Sequence, residues 1–453
     1  MIERRNKERM AIVGGGVLGM TLAHRLAQAG KNVTLFEAAP QLGGLASAWQ
    51  LGDFVWDRHY HVTLMSDTHT RGLLDELDLE NEMRWVQTKT GFYTDGRLHS
   101  MSTSLEFLNF SPLSMVDKAR LAGTIFYASK IKDWKKLEQV PVADWLRKLS
   151  GEQTFQKIWL PLLRAKLGEN YRDTSAAFIW TTIARMYAAR RSGLKKEMFG
   201  YVPGGYARVL DTFSRKLFSE RVYSKVGHPI KEIRKQASGH VTLHYGDDIR
   251  NNFDRVIVTA AAPAAARMVQ GLDDKERTRL QSIRYLGVIC ASVLLKRPLA
   301  GYYVTNITDP AIPFTGVIEM SALVDRETEF GGNHLVYLPK YLSPNDPMFE
   351  ISDEELENRF LAGLERMYPN FERSDVLTFK VSRVRNVVAL PTLNYSELVP
   401  PMQTSIAGLY LVNSSQIVNG TLNVNESVQL AQIAATNLLA ERHERPAQVR
   451  KIA

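Results

Sequence analysis

Apolar residues recur along this chain at two spacings. Met10 to Gly14 is a short apolar run that predicts a buried strand. Thr21 to Ala29 repeats apolar positions at helical spacing and stops at Gly30, a residue suited to ending a helix. Asn32 to Phe36 then alternates as a second strand and closes on Glu37. Farther along, Val142 to Leu149, Phe155 to Ala165 and Ala176 to Ala189 carry the spacing of amphipathic helices, so residues 96–202 read as largely helical. Leu286 to Leu295 predicts a buried strand, and Tyr302-Tyr303, Phe314 to Met320 and His334 to Leu338 continue a strand pattern. Glu354 to Met367 returns to the helical period.

Strand, turn, helix and second strand bracket Gly14-Gly15-Gly16-Val17-Leu18-Gly19, a G-x-G-x-x-G element. Gly14 makes the tight turn, Gly16 lets the backbone approach a pyrophosphate, and Gly19 allows close helix–strand packing. A dinucleotide is therefore expected against Gly14, Gly16, Val17, Leu18 and Gly19 at the helix N-terminus, with its ribose at Glu37 and Ala38.

Composition narrows the class. At 453 residues, with 45% apolar and 23% charged residues, the chain reads as a globular protein of two or three domains, not a disordered or fibrous one. One cysteine, Cys290, excludes an intramolecular disulfide framework and fits a reducing compartment, so a cytoplasmic protein is expected. The N-terminus pairs basic MIERRNKERM with apolar AIVGGGVLGMTLA, as a signal peptide would. Its glycine-rich centre and the lack of a small-x-small cleavage site favour a phosphate-binding turn. No run approaches the roughly 18 apolar residues of a membrane span.

The net charge of +9 resides in one region: residues 115–200 hold 17 basic against 8 acidic side chains. There Lys118, Arg120, Lys130, Lys132, Lys135 and Lys136 interleave with Leu121, Ile125, Phe126, Tyr127, Ile131 and Trp134. Such a surface suits an anionic membrane, which would place the protein on the membrane's inner face. A solvated helix face and a tunnel mouth for an anionic substrate are the competing readings. No nucleic-acid fold signature accompanies the charge, so no nucleic acid is expected as a partner.

The run from Ala11 to His61 resembles the FAD-binding opening of the protoporphyrinogen oxidase, phytoene desaturase and flavin amine oxidase superfamily. It carries the second glycine pair Gly43-Gly44 and an Asp-x-x-x-His element at Asp57 and His61. Members usually have Arg after the glycine pair, where this chain has Leu45. Lys225 to Ile233 and Phe253 to Thr259 resemble the returning strands, which implies Ile230 against adenine. Gly408 to Asn413, then Asn425 and a helix to Leu439, resemble the closing FAD motif, with Asn413 where the family has Asp. The resemblance implies FAD and an α/β fold: a Rossmann-like FAD-binding domain assembled from residues 1–95, 203–285 and 390–445. An inserted α+β substrate domain, residues 96–202 and 286–389, would cover the flavin, leaving a tail at 446–453.

Candidate chemistry centres on Asp57-Arg58-His59-Tyr60-His61. His61 or Tyr60 is expected to position substrate or move a proton, against the alternative of a histidine held structurally beneath the cofactor. Glu319 joins them as a carboxylate expected to be buried and able to act as a base. With one cysteine and no HExxH, no metal site is expected. The position that in many amine oxidases holds a flavin-side lysine is Cys290, and the closing aromatic is replaced around Val424 to Ser427, which disfavours amine oxidation. The reading is an FAD-dependent oxidoreductase taking a hydride from a C–H bond of a lipophilic or ring substrate to flavin N5. One alternative is a redox-neutral isomerase resembling UDP-galactopyranose mutase, with Arg164, Arg172, Arg185 and Arg190 as candidate pyrophosphate ligands; another is a flavin-binding protein without turnover. Substrate, electron acceptor and oligomeric state stay open at this level.

Overall fold

The computed structural model describes residues 8–191, 198–247, 249–418 and 420–441; the expected tail at 446–453 lies outside them. Five parallel strands form the first sheet, in the order Tyr223–Lys225, Asn32–Phe36, Arg9–Val13, Arg255–Val258 and Leu409–Leu411. Alternation along Arg9–Val13 decides what each face meets. Met10 and Ile12 join Leu22 of the helix Val17–Gln28 and Val428 of the helix Val424–Ala440. Ala11 and Val13 join Val241, Leu243 and Phe253 of a three-stranded antiparallel layer, Ile230–Lys235, Val241–Tyr245 and Ile249–Phe253. Both faces are thus covered, as a parallel sheet requires.

A second, seven-stranded sheet runs Val376–Ala389, Tyr285–Leu295, His334–Leu342, Gly316–Glu319, Val304–Ile307, Thr90–Thr94, Arg97–Ser100. Tyr285–Leu295 is buried at every position, with Cys290 paired to Ser382 on one side and Pro339 on the other. The hairpin Thr90–Thr94/Arg97–Ser100 turns on Asp95-Gly96, both with positive φ, and enters this sheet through Val304–Ile307. The segment boundary expected after residue 95 therefore falls inside a hairpin. Met198–Tyr201 pairs with Thr63–Leu64 and Arg84–Gln87, so the end of the expected 96–202 insertion lies in a small sheet with N-terminal residues.

The helical module contains Met115–Ala128, Val142–Ser150, Leu160–Leu167 and Ala176–Arg191 around Leu146, Phe155, Leu163 and Ala176. The helix expected over Phe155 to Ala165 is interrupted by a π turn, Phe155–Trp159, just before Pro161. Proline has no N–H to give the preceding turn, so the ladder widens there.

Candidate functional site

The glycine turn is held from both sides. Gly14 N–H donates to Phe36 O at 2.8 Å and Gly43 N–H to Gly15 O at 2.8 Å, bringing the two glycine pairs together. Glu37 accepts from the amides of Gly15 (2.6 Å) and Ala39 (2.8 Å), while Ala38 is exposed beside them. A methyl on Gly19 would stand 1.9 Å from Gly14 O, and one on Gly14 would stand 2.3 Å from Thr259 Oγ1. Gly16 differs: its nearest foreign atom, Gly44 Cα, would be 3.9 Å from an added Cβ. Gly16 thus leaves a concavity at the start of Val17–Gln28, whose first turn has no side-chain cap. The uncapped first turn beside this concavity suits a pyrophosphate. Ile230 lies on a neighbouring strand, paired with Tyr245.

Downstream, within residues 56–61, three buried polar atoms lack partners: Trp56 Nε1, Arg58 Nε and His59 Nε2. Leaving such a group unpaired costs about 1–3 kcal/mol, so a row of them beside the glycine cradle marks where a polar ligand completes the structure. Asn413 fits the same pattern: its Oδ1 accepts from Ser415, while Nδ2 is buried and unpartnered. These residues fit FAD. Asn425 is otherwise engaged, since its Oδ1 accepts from the amides of His69 (3.0 Å) and Thr70 (3.2 Å) and caps the helix Thr68–Glu76. Leu45 contributes its carbonyl, which accepts from His59 Nδ1 at 3.0 Å. Burial pulls the His59 pKa down to about 4, so near neutral pH its unpartnered Nε2 is an acceptor.

His61 Nδ1 lies 3.7 Å from Asp57 Oδ2, and its ring stacks obliquely on Tyr206 at 4.8 Å. Asp57 is buried, which raises its pKa; the His61 contact and the Tyr206 amide, 2.7 Å from Oδ1, oppose that rise. A methyl on Gly205 would stand 2.8 Å from Asp57 Oδ1, so the glycine pair Gly204-Gly205 is what lets the helix Gly205–Ser219 start against this carboxylate. Sequence reasoning missed Tyr206, although that glycine pair ahead of a helical period was a usable signal. Together these residues line a narrow cavity with Trp56, Thr63 and Met320.

Tyr60 shares a 3.0 Å hydrogen bond with the hydroxyl of Tyr341, and burial raises its pKa. Around it gather Cys290, Tyr303, Ile318, Met320 and Tyr337, an aromatic and apolar wall bordered by Leu45 and Leu422. Tyr337 donates to Asp57 O at 2.6 Å. Glu319 occupies the opposite face of its strand from Ile318 and accepts from the amides of Ala300 (3.0 Å) and Gly301 (3.0 Å). Tyr60 faces Tyr341 and Tyr337, His61 faces Asp57 and Tyr206, and Glu319 is bound to a loop.

The candidate arginines do not converge as free cations. Arg164 and Arg172 share Glu169, each at 3.0 Å, Arg185 binds Asp67 at 2.8 Å, and the Arg190 side chain lies outside the described residues. Among the described residues no cluster of three His, Cys, Asp or Glu is placed to hold a metal, and no helix is long and apolar enough to cross a membrane.

Residues 19–439 match the family described as flavin containing amine oxidoreductase, and the chain belongs to that family. Its cofactor is FAD. Zeta-carotene desaturase of Synechocystis is 24% identical over 456 residues, covering 90% of this chain and 92% of that protein. Protoporphyrinogen oxidase 2, chloroplastic/mitochondrial, of Arabidopsis thaliana is 28% identical over 34% of this chain and 30% of its own length. Among solved structures, reduced UDP-galactopyranose mutase superposes with a TM-score of 0.75 at 16% identity over 97% of each chain, a likeness of fold.

Proposed function

We propose that the protein oxidises or desaturates a lipophilic or ring substrate by removing a hydride from one of its C–H bonds. The wall of Tyr60, Tyr303, Tyr337, Tyr341 and Cys290 beside the FAD cradle carries this reading. Tyr60 and Tyr341 are the wall's part-exposed members, backed by buried apolar and aromatic side chains, and neither nearby carboxylate is open to hold an ammonium. Asp57 is engaged by the Tyr206 amide and His61, and Glu319 by the 300–301 amides. The zeta-carotene desaturase that aligns along most of the chain supports an apolar substrate. FAD, when bound, supplies the electron-accepting N5. The wall orients substrate and excludes water. Asp57 holds the His61 ring, which takes or returns the proton released during turnover, and the Tyr60–Tyr341 hydroxyl pair positions a polar atom of the substrate.

Anaerobic mixing of the flavoprotein with a lipid and metabolite panel tests the reading. Bleaching of the flavin by one compound alone supports it; product formed only after prior flavin reduction, with no net bleaching, overturns it in favour of an isomerase. His61→Ala is expected to slow bleaching roughly 100- to 10,000-fold with FAD still bound. A rate within about threefold of wild type removes His61 from the mechanism, since that is under 1 kcal/mol of barrier.

The same proposal includes a membrane as the source of substrate. The helix Met115–Ala128 turns Asp117, Lys118, Leu121 and Thr124 inward, where Lys118 Nζ donates to Leu108 O at 2.6 Å. Its outer face presents Met115, Val116, Phe126 and Tyr127, each more than half exposed, with Leu105 beside them. A cation–π contact of 5.1 Å sets Lys130 at the rim of this apolar stripe.

A further inference from the structure

We propose that Lys166 is a substrate-binding cation that holds a carboxylate on the lipophilic substrate. The proposal rests on the hydride-transfer reading above and adds a substrate class to it. Lys166 stands near the end of the helix Leu160–Leu167, which packs on the strand His334–Leu342 and is tied down where Thr315 Oγ1 donates to Ala165 O at 2.9 Å. Two residues earlier on the same helix, Arg164 reaches outward to Glu169 at 3.0 Å. Lys166 turns inward instead, with Nζ 5.4 Å from the ring centre of Tyr341 and 5.8 Å from that of Phe178. From Tyr341 the hydroxyl contact of 3.0 Å leads to Tyr60, and so to the Asp57–His61 segment.

Among the described residues no carboxylate lies within ion-pair distance of this ammonium, and burial holds its pKa below the ordinary lysine range. Carboxylates elsewhere in the site and at this helix's end are committed: Asp57 to Tyr206 and His61, Glu319 to the 300–301 loop, Glu169 to two arginines. Aromatic faces soften the loss of water around a cation but do not replace a counterion. A part-exposed ammonium set between the rings of Tyr341 and Phe178, with no carboxylate beside it, lacks an anion that a ligand can bring. A single cation among aromatic rings balances one negative charge, which suits a carboxylate better than a phosphate.

The test titrates the FAD-loaded protein with phenylacetate and, separately, with phenylacetamide, matched in size and differing in charge, while the flavin difference spectrum is read. Wild type is expected to bind the acid about tenfold or more tightly than the amide, as a charge-assisted hydrogen bond provides. Lys166→Met is expected to erase that preference at unchanged FAD content, and Lys166→Arg to keep part of it. Equal binding of acid and amide by wild type, absence of acid binding, or a preference surviving Lys166→Met overturns the proposal. Each outcome is read without turnover. Acid selectivity with no compound bleaching the flavin would sink the oxidoreductase reading alone, and bleaching without acid selectivity would sink this one alone.

Discussion

Gly16 and Gly19 sit one helical turn apart and require glycine for different reasons. At Gly19 a methyl group would overlap Gly14 O, so Gly19→Ala is expected to damage the fold itself and lower the thermal midpoint of the apoprotein. At Gly16 the same methyl finds open space in the protein and intrudes only on a bound pyrophosphate. Gly16→Ala should leave the apo midpoint near wild type and weaken FAD about tenfold or more, read by flavin retention on desalting. A Gly16→Ala protein with full flavin affinity would show that this concavity is not the phosphate site. A second residue-scale effect lies behind the same helix, where His24 is buried between Glu220 (2.7 Å) and Glu76 (2.9 Å). Burial works to raise the Glu76 pKa, but hydrogen bonds from Arg25 and His24 outweigh it and hold it at about 2, below the usual 4.5. A depressed carboxylate stabilises the folded state above its unfolded pKa, and that contribution fades as pH falls from about 4.5 toward about 2. Glu76→Gln should flatten the melting temperature against pH in that window, checked by thermal scans; an unchanged slope would mean the clamp carries no acid sensitivity.

Among elements, the helix Met115–Ala128 buries Asp117 and Lys118 beside Leu121 and Ala128 and leaves four large apolar side chains outside. On this argument, reversing Lys130, Lys132, Lys135 and Lys136 to Glu should release the protein from phosphatidylglycerol liposomes, since each cation near such a surface contributes about 1 kcal/mol. Replacing Met115 and Phe126 with Ser should weaken flotation at high salt as well, where charge is screened. Equal partitioning of all variants would return the stripe to an ordinary surface. The basic and aromatic interleaving was legible in the sequence, but which residues point outward was not, because Asp117 and Lys118 find buried partners only in the folded module. The hairpin at Asp95-Gly96 was legible and overlooked: Asp-Gly between strand-like runs is a turn signal in its own right. Glycine spacing was readable because it encodes a local turn. Asn425 escaped because its partners, His69 and Thr70, stand some 355 positions away. Glu319 was read correctly as buried, yet the loop amides that bind it leave no trace in composition or period.

At the scale of the molecule, one thiol lies inside the seven-stranded sheet. Cys290 is buried on a strand with a neighbour on each side, and burial pushes its pKa far above the ordinary range. A maleimide at neutral pH should therefore leave the native protein unlabelled over minutes and modify it stoichiometrically in guanidinium, measured by intact mass. Prompt native labelling would mean that the strand parts from its neighbours far more often than its burial implies. The same sulfur stands in the wall with Tyr60 and Tyr337. Any compound that braces that wall should slow the labelling, so the protein carries its own stopwatch for ligand binding, one that runs whether or not the compound is ever turned over.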